Sequence, residues 1–209
     1  MGTTDDHSPP KYTAAEALAE LAKGQQPYAT ILGCSDSRVP PELVFDAGFG
    51  ELFIVRVAGN VLGPAVEGTL QYAGKHLHTP LFVVMGHEGC GAVRAAIASR
   101  FQGKRHFSRI AVLLENILPA LDGLDTNLPP DALLSAAVEA NVRWTMRALL
   151  DSPEGRTRLG EGVMQLVGGG VRNQHGPGSI PQPIAPGSWK VGDWHLISTG
   201  TAVGDRLCG

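Results

Sequence analysis

The chain has 209 residues, 43% of them hydrophobic, which is enough for one domain with a substantial buried core. The net charge of −3 and the scattered Lys and Arg residues exclude the broad basic surface that nucleic-acid binding requires. No apolar run in the sequence approaches the roughly 20 residues that cross a bilayer. We therefore expect a single domain over residues 1–209 that binds neither nucleic acid nor a membrane.

The three cysteines indicate a reducing environment or a metal site. Cys34, Cys90 and Cys208 cannot form a closed set of disulfides. The N-terminal residues are polar and acidic and show no signal peptide. We therefore predict a cytoplasmic protein, unless an organellar targeting segment is missing from this sequence.

Short apolar, β-rich runs alternate with helical patterns along the chain, which is typical of a parallel sheet covered on both faces. Strands are predicted over residues 29–32, 52–57, 81–85, 163–167 and 194–198. Helices are predicted over residues 14–24, 64–77, 90–101, 108–121 and 131–150. The predicted fold is a three-layer α/β domain with a central, mostly parallel sheet of four to five strands flanked by helices.

A Gly- and Pro-rich segment, residues 171–192, interrupts this alternation near the end of the chain. Its composition cannot continue either a helix or a strand. At about twenty residues it is longer than most loops. We therefore predict a loop insertion within the single domain.

Two short motifs that follow predicted strands carry the most reactive side chains. In the first, CSDSR, the thiol of Cys34, the carboxylate of Asp36 and the guanidinium of Arg38 stand at two-residue steps, so an extended backbone points them the same way. In the second, GHEGC, His87 and Cys90 lie three residues apart where a helix begins. Because ligands bind at the carboxyl ends of parallel strands, we expect the two motifs to converge.

Two thiolates and an imidazole form a ligand set that suits Zn²⁺, so Cys34, His87 and Cys90 are candidate metal ligands. Asp36 or a water can complete the set, and the sequence permits both a catalytic and a structural site. The helix N-terminus is expected to favour the thiolate of Cys90. A Cys–His nucleophile is the alternative interpretation, although it gives Asp36, Arg38 and the second cysteine no shared purpose.

The chain resembles the β-class carbonic anhydrases from about residue 24 to residue 98, with weaker similarity towards the C-terminus. The resemblance rests on four motifs in this order and at these separations: CSDSRVPPE, ELFIVRVAGN, EGTLQYA and GHEGCGAV. That family binds zinc and interconverts CO₂ and bicarbonate. The resemblance also implies a homodimer, often paired into a homotetramer, with each active site at a subunit interface.

When the family's functional residues are matched to this sequence position by position, the resemblance implies that Cys34, His87 and Cys90 bind Zn²⁺. It also implies that Asp36 and Arg38 form a dyad beside the metal. Zinc lowers the pKa of its bound water from about 15.7 to about 7, so that hydroxide can attack CO₂. Asp36 would orient that water, and Arg38 would hold Asp36 in a bidentate pair. Asp36 would become the fourth ligand only in a closed form of the site.

Three further residues match the substrate pocket that the adjoining subunit contributes in the always-open, plant-like branch of the family. Gln25 would donate a hydrogen bond to substrate, while Phe53 and Tyr72 would keep the pocket apolar for CO₂. Taken alone, the two aromatic residues would be interpreted as core. Ile31 stands where the bicarbonate-regulated branch usually carries Trp, and this favours an open site.

The predicted function is carbonate dehydratase activity, the reversible hydration of CO₂ to bicarbonate and a proton. One alternative is a COS or CS₂ hydrolase that uses the same zinc site. Another is a non-catalytic zinc-binding homologue. Asp36 and Arg38 argue against the latter, because a purely structural metal has no use for the dyad.

Overall fold

The computed structural model describes residues 13–171, and the strands of this part form one parallel sheet. The sheet order is β2-β1-β3-β4. The strands are β1 (Ala29–Gly33), β2 (Leu52–Arg56), β3 (Leu81–His87) and β4 (Gln165–Val171). The prediction of a parallel α/β sheet is confirmed. The candidate strand over residues 194–198 lies outside the described residues.

The helices of the described part are numbered in chain order. They are α1 (Ala14–Ala22), α2 (Pro41–Val44), α3 (Pro64–His76), α4 (Gly91–Gln102), α5 (Ser108–Glu115), α6 (Pro130–Asp151) and α7 (Pro153–Gly160). Of these, α3 and α6 pack against the sheet. Short 3₁₀ turns cover Ala58–Asn60 and Leu118–Leu121. In the described part of the chain no helix is both long enough and apolar enough to span a bilayer.

Two sequence predictions need correction. The helix expected over residues 108–121 ends at Glu115 and is followed by the 3₁₀ turn, because Pro119 has no N–H to continue the α-helical ladder. The last described strand begins at Gln165 and runs through Val171, whereas the sequence placed it over residues 163–167. Val171 therefore belongs to the strand, and the rest of the predicted insertion lies outside the described residues.

The two central strands are buried because helices or loops cover both of their faces. On one face, Leu32 and Val84 pack with Leu70 of α3 and with Val142 and Met146 of α6. On the other face, apolar residues of β1 and β3 pack with residues before and within α2: Ile31, Val83 and Met85 with Val39 and Val44. This two-sided burial explains why both strands are predominantly apolar, rather than alternating apolar and polar residues.

The register of the sheet determines where the reactive motifs lie. Gly33 of β1 pairs with Met85 of β3, so both strands reach the same edge of the sheet together. Cys34 follows directly after Gly33, and His87 ends β3. The two motifs therefore leave the sheet side by side at its carboxyl edge, as the sequence predicted.

Candidate metal centre

The structure brings Cys34, His87 and Cys90 together at this edge. Their ligand atoms all lie within 4.8 Å of one another, and all three residues are buried. The Sγ atoms of the two cysteines are 4.0 Å apart. Two Zn–S bonds of about 2.3 Å at a tetrahedral angle place the sulfurs about 3.8 Å apart, so the observed spacing fits a single zinc ion.

The imidazole of His87 has one nitrogen available for a metal. Its Nδ1 lies 3.1 Å from the carbonyl oxygen of Glu88, to which the neutral ring can donate. Its Nε2 is buried and has no hydrogen-bond partner. A ring nitrogen held by a backbone carbonyl, with the other nitrogen unpaired, is the usual arrangement of a zinc-binding histidine.

The two neighbouring sulfurs resist ionising together. A hydrogen bond between the two sulfurs, in which either thiol can be the donor, is the largest cause that lowers the pKa of Cys34. The same pairing, followed by burial, raises the pKa of Cys90. The amides of Ala92 and Val93 at the start of α4 lower the pKa of Cys90, as the sequence predicted, but they do not outweigh these two effects in the protein without a cation. A divalent cation resolves the conflict because it attracts both thiolates.

Asp36 and Arg38 form the bidentate pair that the sequence predicted. Arg38 donates from Nε to Oδ1 of Asp36 at 2.9 Å and from Nη2 to Oδ2 at 2.8 Å, and its backbone N–H also donates to Oδ1. These hydrogen bonds hold the pKa of Asp36 well below its usual range. Asp36 Oδ2 lies 3.8 Å from Nε2 of His87, so the pair stands beside the candidate ligands.

Two residues that sequence reasoning did not assign also shape the loop after β1. Arg56, at the end of β2, donates from Nε to the carbonyl oxygen of Cys34 at 2.9 Å and from Nη2 to that of Asp36. The backbone N–H of Gly59 donates to Sγ of Cys34 at 3.3 Å. The local signal for Arg56 was a charge within an otherwise apolar run.

Within one chain, the structure does not bring the candidate pocket residues to the metal ligands. Phe53 is level with Thr30 in the sheet, so Cys34 lies about 13 Å further along the strand direction. Tyr72 is 47% exposed, which rules out the core interpretation for this residue. Its ring centroid lies 6.2 Å from that of Phe53. Gln25 is exposed in the segment before β1.

Comparison with known proteins identifies the family. The family model for carbonic anhydrase matches residues 29–177. The β-carbonic anhydrase CafA of Aspergillus fumigatus has a similar structure, with a TM-score of 0.66 and 26% identity over 76% of each chain. The chain belongs to the β-class carbonic anhydrases.

Further relatives show how much of the chain is similar to known proteins. Carbonic anhydrase 2 of Mycobacterium tuberculosis is 46% identical over 103 residues, which is 49% of this chain and 50% of the relative. The chain thus spans about half the length of this relative and of the carbonic anhydrase of Mycolicibacterium smegmatis. A tetrameric β-carbonic anhydrase of Sordaria macrospora shares the fold, with a TM-score of 0.69 and 23% identity over 76% of this chain and 82% of the other.

Proposed function

We propose that the chain catalyses the zinc-dependent reversible hydration of CO₂ to bicarbonate and a proton. The observation that carries the proposal is the buried cluster of Cys34, His87 and Cys90 with the Asp36–Arg38 pair beside it, in a member of the carbonic anhydrase family. The relatives named carbonic anhydrase support the same reaction.

The protein residues have separate tasks in this reaction. Cys34, His87 and Cys90 would hold zinc, which would act as a Lewis acid and lower the pKa of a water molecule to about 7. Asp36 stays ionised at working pH because Arg38 holds its pKa low, so its carboxylate only accepts hydrogen bonds. Because this carboxylate lies beside the ligands, it can accept a hydrogen bond from the O–H of a water molecule. That hydrogen bond orients the water so that a lone pair of its oxygen points towards CO₂.

We also propose an open site, in which Asp36 is not a metal ligand. Both carboxylate oxygens accept hydrogen bonds from Arg38, and this supports a position away from the cation. Stopped-flow CO₂ hydration on protein with equimolar zinc is expected to retain activity near neutral pH. An abrupt loss of activity as the pH falls towards neutrality would indicate the closed form, and no hydration at any pH would contradict the proposed function.

The substrate pocket is proposed to form between subunits of a homodimer or homotetramer. The exposure of Gln25 and Tyr72 and the separation of Phe53 from the metal ligands of its own chain support a role of these three residues in the adjoining subunit.

Mixed dimers test this arrangement directly. We expect Arg38→Ala and Phe53→Ala/Tyr72→Ala to be poorly active as separate homodimers. Each proposed site combines Arg38 of one chain with Phe53 and Tyr72 of the other. In a mixed dimer, one site therefore carries both defects and the other carries neither. With one of two sites intact, stopped-flow activity should recover to roughly half that of the wild type. Dimers of Arg38→Ala with itself, prepared in the same way, are the control. If mixing restores no activity, the pocket residues act within their own chain.

No described residue favours COS or CS₂ hydrolysis over CO₂ hydration, and the dyad argues against a non-catalytic zinc protein. A cytoplasmic location stays a prediction. The free thiols of Cys34 and Cys90 are consistent with a reducing compartment.

A further inference from the structure

Two buried polar side chains interrupt the apolar face of α6. Asn141 and Thr145 are four residues apart and share one side of the helix. They are only 1% and 2% exposed, among the core residues Val138, Val142 and Met146. Buried polar groups destabilise a core unless they are hydrogen-bonded. Their partners therefore indicate what the two residues do.

Both side chains donate to the 3₁₀ turn Ala58–Asn60. Asn141 donates from Nδ2 to the carbonyl oxygen of Gly59 at 2.8 Å, and Thr145 donates from Oγ1 to that of Asn60 at 3.3 Å. The turn has left-handed backbone angles at both positions, with φ of 70° at Gly59 and 44° at Asn60. Helix α6 thus holds a turn whose left-handed backbone is one that Gly and Asn tolerate better than other residues.

This turn reaches the candidate metal centre through Gly59. The N–H of Gly59 donates to Sγ of Cys34, and its carbonyl accepts from Asn141. A Cβ at residue 59 would lie 2.7 Å from Cδ1 of Ile117 and 3.1 Å from Cβ of Ala92. Because Gly59 is packed this tightly, its amide cannot move far while Asn141 holds the carbonyl of the same residue.

We propose that Asn141, with support from Thr145, is a positioning residue for the metal centre. By fixing Gly59 it keeps a backbone N–H on the thiolate of Cys34. This hydrogen bond withdraws charge from the sulfur, so Cys34 donates less charge to the cation and the cation is a stronger Lewis acid. The inference rests on the proposed function because it requires Cys34 to be a metal ligand.

Cobalt substitution tests the inference without relying on activity. Co²⁺ bound by thiolate gives a charge-transfer absorption band whose energy depends on the charge of the sulfur. We expect Asn141→Leu, which has a similar shape but no donor, to shift this band to longer wavelength. CO₂ hydration by the zinc form should fall roughly tenfold, the lower end of the range for residues that support metal ligands.

The matched control is Thr79→Val. Thr79 is as deeply buried as Asn141, and its Oγ1 lies 2.7 Å from that of Thr30, at the other end of β1 from the metal centre. This variant loses a buried hydrogen bond of the core, and its cobalt band should match the wild type. A purely structural role for Asn141 would give the same unshifted band.

Thr145→Val is the milder variant, expected to shift the band in the same direction by less. A wild-type band in folded Asn141→Leu would overturn the inference, and if that variant does not fold, a wild-type band in Thr145→Val would do so. If the wild-type protein itself gives no thiolate-to-cobalt band, the proposed metal ligands are wrong. The two failures are therefore distinguishable.

Discussion

Replacement of Arg38 by alanine is expected to reduce CO₂ hydration by about 100-fold or more, while the protein keeps its zinc. Arg38 is not among the candidate ligands, so the cluster of two thiols and an imidazole stays intact. The substitution removes both guanidinium hydrogen bonds to Asp36 and leaves only the one from the backbone N–H. The carboxylate is then free to rotate, and it can approach the cation that it normally lies beside.

The loss should come from orientation rather than from protonation. Arg38 depresses the pKa of Asp36 from its ordinary value of 3.8. A carboxylate with a lowered pKa stabilises the fold at every pH above its unfolded-state pKa. This stabilisation is lost as the pH falls through the lower, folded-state pKa. That window lies well below neutral pH. Asp36 should therefore stay ionised in Arg38→Ala near pH 7, and raising the pH should not restore activity.

Metal analysis after gel filtration and stopped-flow hydration are the two measurements needed. Arg100→Ala is the matched control, because Arg100 also pairs with a carboxylate, that of the exposed Asp122, without touching the site. Arg38→Lys should remain impaired, since lysine keeps the charge but cannot form the bidentate pair. Unchanged turnover in Arg38→Ala would refute the role of the dyad, and loss of zinc would make Arg38 a structural residue instead.

The sequence predicted best those strands whose burial requires apolar side chains. β1 and β3 are buried on both faces, so each reads as a predominantly apolar run. β4 was placed less well because Gly168, Gly169 and Gly170 carry no apolar signal. They are strand residues because their backbones pair with Val84, Met85 and Gly86 of β3, and this pairing is set by the tertiary fold.

In the candidate site, likewise, some residues could be predicted from the sequence and others are placed only by the tertiary fold. Its ligands and the dyad belong to two local motifs, so spacing and strand ends were enough to predict their convergence. Asn141 and Thr145 contact the turn near the site across 82 and 85 residues of chain, and no local spacing encodes such a distance. Their only sequence signal is weaker than that of the two motifs: they are two polar residues, four apart, on a helix face that is otherwise apolar.

Replacement of His87 by alanine is expected to weaken zinc binding severely and to abolish CO₂ hydration. The variant removes the unpaired Nε2 and leaves the sulfurs of Cys34 and Cys90 4.0 Å apart, where pairing and burial raise the pKa of Cys90. Two thiols that resist joint ionisation form a poor site without the neutral third ligand. We expect zinc affinity to fall at least about 100-fold, and the melting temperature in excess zinc to lose the increase that zinc gives the wild type.

Zinc titration against a competing chelator measures the affinity, and thermal unfolding with and without zinc measures the linked stability. His78→Asn is the control, because His78 is exposed and its φ of 53° is one that asparagine tolerates. It should bind zinc and hydrate CO₂ as the wild type does. Equimolar, tightly bound zinc in His87→Ala would show that the cation binds elsewhere. The proposed role of Asp36 and Arg38 would then also be wrong, because it requires a cation between the two loops at the carboxyl edge of β1 and β3.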